Sequence, residues 1–307
     1  MTDLNFGPVV LGGNVFGWTA DRDTSFRILD AFVAAGGRSI DTADMYSAWV
    51  PGHSGGESEE IIGAWMRARG IRDELVIATK VGMLEGHGGL SPAAIRTQID
   101  ASLTRLGTDH IDLYYAHQDD EDVPQADYLA AFDELVRAGK VRELGASNFT
   151  PARLRSAVDT SRAAGLAEFT VAQDQWSLVE RAVETETVPA LRDLGLVELP
   201  YLPLAGGFLT GKYRPGTTVD SPRAASATAY LDDPRHLDLL GVLDDVAAAH
   251  DVSVTAVSLA WLRAQDVVGA PIASARTPEQ LTALLESASL ELSADEVSAL
   301  GAPTAVV

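Results

Sequence analysis

The chain has 307 residues, 46% of them hydrophobic, and 44 acidic against 23 basic side chains give it a formal charge of −21. That charge excludes a nucleic-acid backbone or an anionic membrane surface as partner, because either would be repelled over most of the surface, while the apolar share is enough for a large core. The absence of cysteine removes disulfides, thiolate nucleophiles and thiolate metal sites; the opening MTDLNFGPVV lacks the basic segment and apolar run of a signal peptide, and no 18 residues run apolar, so the expectation is a soluble, cytoplasmic protein.

Short β-branched or apolar runs recur along the chain, each followed by a longer segment of helical period. The strand candidates are PVVLG near 8, RSID near 38, ELVIATK near 74, HIDLYYA near 110, VRELGAS near 141, FTVAQ near 169, LVELPYL near 196 and VVGAPIA near 267. Helix starts are marked between them. Ser91-Pro92 opens a helix with Ile95, Ile99, Leu103 and Leu106 on one face, and Thr150-Pro151 repeats the device. Thr277 to Gln280 and Ser293 to Glu296 have capping-box spacing, in which the fourth side chain reaches back to the cap's backbone amide. Two stretches break the rhythm, about 47–56 and about 206–234; both follow strands, as long active-site loops of a barrel do. Eight βα units form either a parallel barrel or a doubly wound open sheet, and the lack of a G-x-G-x-x-G turn after the first strand favours the barrel. The expectation is α/β, a single (β/α)8 TIM-barrel domain over 1–307 with no linker.

Polar residues gather just beyond the strands: Asp41 and Tyr46 after the second, Lys80 after the third, His117 after the fourth, Asn148 after the fifth, Gln175 after the sixth and Arg276 after the eighth. Taken singly, each has a structural reading as a turn cap, loop anchor or surface charge. Their joint placement on the catalytic face of a barrel reverses this. A phenol has an ordinary pKa of about 10 and is a poor acid-base group at neutral pH. A neighbouring lysine should lower that value, and a carboxylate should keep the lysine charged and aimed. With histidine orienting a substrate oxygen, the set suits protonation of a carbonyl receiving hydride, worth roughly 100-fold to 10,000-fold as general acid catalysis. The hydride itself must come from a cofactor.

Other motifs point elsewhere or nowhere. Gly206, Gly211 and Lys212 fit most of a phosphate-loop pattern, but Tyr213 stands where the magnesium-binding hydroxyl belongs. The segment can still bring backbone amides and positive charge to a pyrophosphate. Six histidines show no H-E-x-x-H or paired helical spacing, so no metal is expected, and Asp119 to Asp122 reads as a solvated acidic loop.

In these residues the sequence resembles the aldo-keto reductase superfamily, essentially from end to end. The matching blocks are Asp41-Thr-Ala-Asp-Met-Tyr46, Gly56 to Gly63, Ile77-Ala-Thr-Lys80, Asp112-Leu-Tyr-Tyr-Ala-His117, Gly139 to Asn148 and Pro203 to Lys212. The resemblance implies a catalytic tetrad with Tyr46 as proton donor, Lys80 and Asp41 lowering its pKa, and His117 orienting the carbonyl. It implies further that Ser147, Asn148 and Gln175 hold the nicotinamide carboxamide, that Tyr201 stacks on the ring, and that Leu204, Gly206, Leu209 and Lys212 lie along the pyrophosphate. Arg276 would meet the 2′-phosphate, with Gln280 nearby, which favours NADPH while leaving NADH use open. Gln280 also has the competing role of reaching back in the Thr277 capping box.

Departures from the family's pattern are Ala273-Ser274 in place of proline and glycine, Leu284 in place of asparagine, and Gln118-Asp119-Asp120 after His117. Phe16, Trp18, Met45, Trp49 and Met83 are candidate apolar walls for a small-molecule carbonyl substrate. The resemblance favours a monomer. The rival readings are a cofactor-binding regulatory subunit and a metal-dependent or phosphate-handling barrel enzyme of another class.

Overall fold

A computed structural model describes residues 2–305; residues 1, 306 and 307 of the expected 1–307 domain lie outside the described residues. Eight parallel strands form one curled sheet: β1 (Val10–Gly12), β2 (Ser39–Asp41), β3 (Val76–Val81), β4 (Ile111–Ala116), β5 (Val141–Ser147), β6 (Phe169–Gln173), β7 (Val197–Glu198) and β8 (Ile272–Ala273). Their order is β7-β6-β5-β4-β3-β2-β1-β8. The two end strands are also tied. A parallel bridge joins Glu198 to Val268, the Gly269 amide donates to Glu198 O at 2.9 Å, and the Ile272 amide donates to Pro200 O at 2.8 Å. This arrangement, with helices alternating with strands, is consistent with a (β/α)8 barrel.

The crossover helices are α1 (Arg22–Ala34), α2 (Glu57–Arg69), α3 (Pro92–Leu106), α4 (Gln125–Arg137), α5 (Pro151–Ala164) and α6 (Thr187–Leu194). After β7 come α7 (Ala224–Ala229), α8 (Pro234–His250) and α9 (Val254–Arg263), and after β8 come α10 (Pro278–Glu286) and α11 (Ala294–Gly301). Helix starts follow the sequence signals: Ser91 accepts from the Ala94 amide, Thr150 from that of Arg153, and Ser293 and Glu296 close a reciprocal capping box. Thr277 also caps its helix, accepting from the Gln280 amide, but Gln280 does not complete a box. Its Oε1 accepts from the Arg276 amide at 2.9 Å, so it braces the residue ahead of the cap.

Strand alternation sends successive side chains to opposite faces and divides the core in two. Val10, Ala78, Leu113, Tyr115, Val171, Leu199, Ala270 and Ile272, drawn from β1, β3, β4, β6 and β8 and the segments beside them, form one packed cluster with Phe6, as the inside of a barrel does. Their sequence neighbours Leu11, Ile77 and Tyr114 face outward and join the larger core between sheet and helices. The aperiodic stretch, about 206–234, contains 3₁₀ turns over Ala205–Thr210 broken by a kink at Gly206 and Gly207, then α7 and a 3₁₀ turn over Tyr230–Asp232. These pieces are too short to display a helical period.

Candidate active site

Strand ends supply the site. Asp41 closes β2, Lys80 is the penultimate residue of β3, His117 follows β4, and Tyr46 lies in the turns after β2. Lys80 is fully buried, and all three of its ammonium protons are used: on Asp41 Oδ2 at 2.5 Å, Thr42 O at 2.8 Å and Tyr46 Oη at 3.0 Å. The Tyr46 hydroxyl lies 3.4 Å from Asp41 Oδ2, and Gln173, the last residue of β6, donates from Nε2 to Asp41 Oδ1 at 3.0 Å. The His117 ring packs edge-on against that of Tyr46, 6.1 Å between centroids, and its Nδ1 is buried with no partner among the described residues.

A cavity of about 590 Å³ opens over this group, lined among others by Asp41, Tyr46 and His117, with Trp18, Trp49 and Met83 on one side. Trp49 stands edge-on to both Trp18 and Tyr46, at 5.7 and 6.1 Å. Across the cavity, Asn148 donates from Nδ2 to His117 O and Ser147 Oγ, both at 3.0 Å, and accepts from the Tyr201 hydroxyl at 2.9 Å. The lining also includes Leu204, Gly206, Lys212, Arg276 and Gln280, and Arg223, whose guanidinium lies over the Trp18 ring. Gly206 and Gly207 have φ of 66° and 106°, the left-handed region where a side chain would be strained.

Three cations thus converge on one cavity of a chain with a large acidic excess. No ion pair among the described residues includes Lys212, Arg223 or Arg276. Burial, and then the neighbouring Arg276, push the values of Lys212 and Arg223 below their ordinary ranges. Lys212 is exposed and Arg223 and Arg276 are partly buried, and cations gathered on one cavity without a carboxylate partner among the described residues fit the phosphates of a dinucleotide.

Nearly the whole chain also matches known proteins. The model of the Aldo/keto reductase family matches residues 8–302. The chain belongs to this family. It is 36% identical to the uncharacterized oxidoreductase YrpG of Bacillus subtilis over 95% of its own length and 90% of that protein's. Identity to the norsolorinic acid reductase stcV of Emericella nidulans is 31%, covering 97% of the chain and 78% of the relative. With the human aflatoxin B1 aldehyde reductase member 4 it is 38%, over 67% of the chain and 60% of the relative. Membership makes this aldo-keto reductase an oxidoreductase acting on carbonyl groups.

Several residues singled out from sequence lie elsewhere in the enzyme. Gln175 does not line the cavity; β6 ends at Gln173, whose side chain reaches Asp41, whereas Gln175 lies two residues beyond, in a bridge with Tyr201. Phe16 and Leu209 are fully buried in the outer core, where an apolar side chain is worth more than at a wet cavity wall. Met45 is half-buried in the turn beside Tyr46 and does not line the cavity. Conversely, Asn14, Gln173, Arg223 and Ser274 line the cavity and were missed. Gln173 holds the same strand-end position as Asp41 and Ser147, which was the available signal.

The electrostatics reverse one expectation. Lys80 was expected to lower the Tyr46 phenol; instead burial, and then the Asp41 carboxylate beside it, push the phenol well above its ordinary value. The dry surroundings outweigh the ammonium, so Tyr46 holds its proton at neutral pH. Burial also pushes Lys80 down, with Asp41 opposing, and pushes the His117 imidazole well below its ordinary value with Lys80 adding to the effect. His117 is therefore neutral at pH 7.

Proposed function

We propose that this enzyme, a single barrel domain over 1–307, reversibly reduces aldehyde or ketone carbonyls with NADPH, without a metal, in a site framed by the segments that follow its strands. One observation carries the reading: the Lys80 ammonium is shared between Asp41 and the Tyr46 hydroxyl, at a cavity also lined by three cations that have no carboxylate partner among the described residues.

A nicotinamide cofactor bound in this cavity supplies the hydride. Tyr46 carries the proton at its hydroxyl oxygen and gives it to the substrate oxygen as negative charge develops there. The Lys80 ammonium, already 3.0 Å away, then faces a phenolate and stabilises it, while Asp41 holds the ammonium in place. His117, neutral, fixes the substrate oxygen by hydrogen bonding without competing as an acid. Trp18, Trp49 and Met83 supply an apolar wall that limits water and favours a carbonyl compound with an apolar body. Ser147, Asn148 and Tyr201 would hold the nicotinamide end, joined by Gln173; Gly206 and Lys212 would receive the pyrophosphate with Arg223, and Arg276, braced through its amide by Gln280, the 2′-phosphate.

Arg276→Ala separates the cofactors. The Michaelis constant for NADPH should rise roughly tenfold or more, and that for NADH by no more than about twofold, because only the first carries the 2′-phosphate. Equal changes would overturn the 2′-phosphate contact, and failure of wild type to oxidise NADPH with any of a panel of aldehydes and ketones would overturn the reading itself.

A further inference from the structure

Two side chains at the seam where the first strand meets the last take no part in the tetrad and belong to none of the cofactor contacts above. Asn14 lies just beyond β1 and Ser274 just beyond β8, 260 positions apart in the chain, and the Ser274 hydroxyl donates to Asn14 Oδ1 at 2.7 Å. Both line the cavity. Position 274 is one of the departures from the family's pattern, a serine where glycine is common, so this hydroxyl is a feature of the present chain.

The segment that carries Asn14 is held from both sides. The Gly13 amide donates to Asp41 O at 2.7 Å, and the Gly13 carbonyl accepts from Ser58 Oγ at 2.8 Å and from the Phe16 amide at 3.0 Å. Gly12 makes room for the serine: a methyl group there would stand 2.6 Å from Ser274 Oγ. Because Asn14 Oδ1 is taken by the Ser274 hydroxyl, the amide is fixed with its two Nδ2 hydrogens left over, and no hydrogen bond among the described residues uses them. Strand register places the pair. Gly12 pairs with Asp41 on one side and Leu11 with Ala273 on the other, so Asn14 and Ser274 stand on the rim between the tetrad and Arg276.

We propose that Asn14, oriented by Ser274, donates from Nδ2 to a diphosphate oxygen of the bound dinucleotide. The inference rests on the cofactor reading above, in which the nicotinamide end lies at the tetrad and the 2′-phosphate at Arg276; between those two ends a dinucleotide carries its diphosphate. An amide that presents donors alone needs an acceptor, and a diphosphate oxygen accepts without having to donate. A neutral amide also adds this contact without bringing a fourth cation against Lys212, Arg223 and Arg276. Ser274 is a positioning residue: it touches the amide and acts through it.

Quenching of tryptophan fluorescence, with Trp18 and Trp49 at the cavity, gives dissociation constants for NADPH and NADH without turnover. Asn14→Ala should weaken both nucleotides alike, by roughly tenfold, because both carry the diphosphate, in contrast to Arg276→Ala. Asn14→Asp keeps the shape of the amide but sets a carboxylate against the phosphate, and should weaken both by roughly tenfold more than Asn14→Ala does. Ser274→Ala should weaken both about threefold in wild type and not at all in the Asn14→Ala background, whereas a serine that only braced the seam would have the same effect in both. Unchanged affinity in Asn14→Ala overturns the proposal, as does Asn14→Asp binding no worse than Asn14→Ala, the result expected if the amide met a ribose hydroxyl instead. Failure of both nucleotides to quench wild type would overturn the cofactor reading itself, and this inference with it.

Discussion

At the scale of single residues, burial decides which groups carry charge. Asp44, three residues beyond Asp41, is fully buried and neither of its carboxylate oxygens has a partner among the described residues. Burial pushes its value up to about 7, the nearby Glu59 carboxylate pushes the same way, and Arg105 opposes. Glu59, by contrast, is bonded by Thr79 and Arg105 at 2.6 Å each. Because Asp44 binds its proton more tightly folded than unfolded, its contribution to stability is complete below about pH 4 and is lost as pH rises to about 7, a loss on the order of 2–4 kcal/mol. Asp44→Asn should therefore gain melting temperature relative to wild type as pH rises from about 4 to about 8, the difference levelling off only below about pH 4. A difference independent of pH would show that the carboxyl does not titrate in this range.

The same scale shows why some site residues were legible and others were not. Asp41, Tyr46, Lys80 and His117 carry unusual chemistry at positions just beyond apolar runs, so sequence alone brought them together. Gln173 and Gln175 look alike as letters; only the end of β6 decides that Gln173 enters the barrel mouth. Arg223 lay in a stretch with no period to anchor it, and its role depends on Trp18, over whose ring it stacks at 5.6 Å, from a segment 205 positions away in the chain. The direction of the Tyr46 shift was also hidden, since it depends on how dry the site is.

At the scale of elements, close packing overrides local preference. Gly63 lies in the middle of α2, where alanine is favoured by about 1 kcal/mol on helix propensity alone. A methyl group there would stand 2.3 Å from Arg105 O and 2.6 Å from Leu106 O, both backbone atoms at the end of α3. Those atoms cannot give way without moving the helix, at a cost of roughly 1–3 kcal/mol. Gly63→Ala should accordingly lower stability in urea denaturation despite its better propensity, and a variant more stable than wild type would refute the contact. The eight strands were legible because each is an apolar or β-branched run closed by turn residues. The short helices after β7 were not, because six residues or fewer leave no repeat to read.

At the scale of the whole molecule, the parallel ring explains why residues so far apart in sequence form one site. Every strand delivers its C-terminal end to the same rim, so Asp41, Lys80, His117, Asn148, Gln173 and Arg276 need no other contact with each other to converge. Against the overall acidity, the cavity gathers Lys212, Arg223 and Arg276 from 23 cationic side chains and leaves them without carboxylate partners among the described residues.

The central claim is that Tyr46 delivers the proton as the carbonyl is reduced. It is tested most directly by single-turnover reduction of an aldehyde by NADPH-loaded enzyme at neutral pH, wild type against Tyr46→Phe. The rate should fall roughly 100-fold or more in the variant, while the NADPH dissociation constant changes by no more than about twofold. A Tyr46→Phe enzyme that turns over at the wild-type rate would contradict the account.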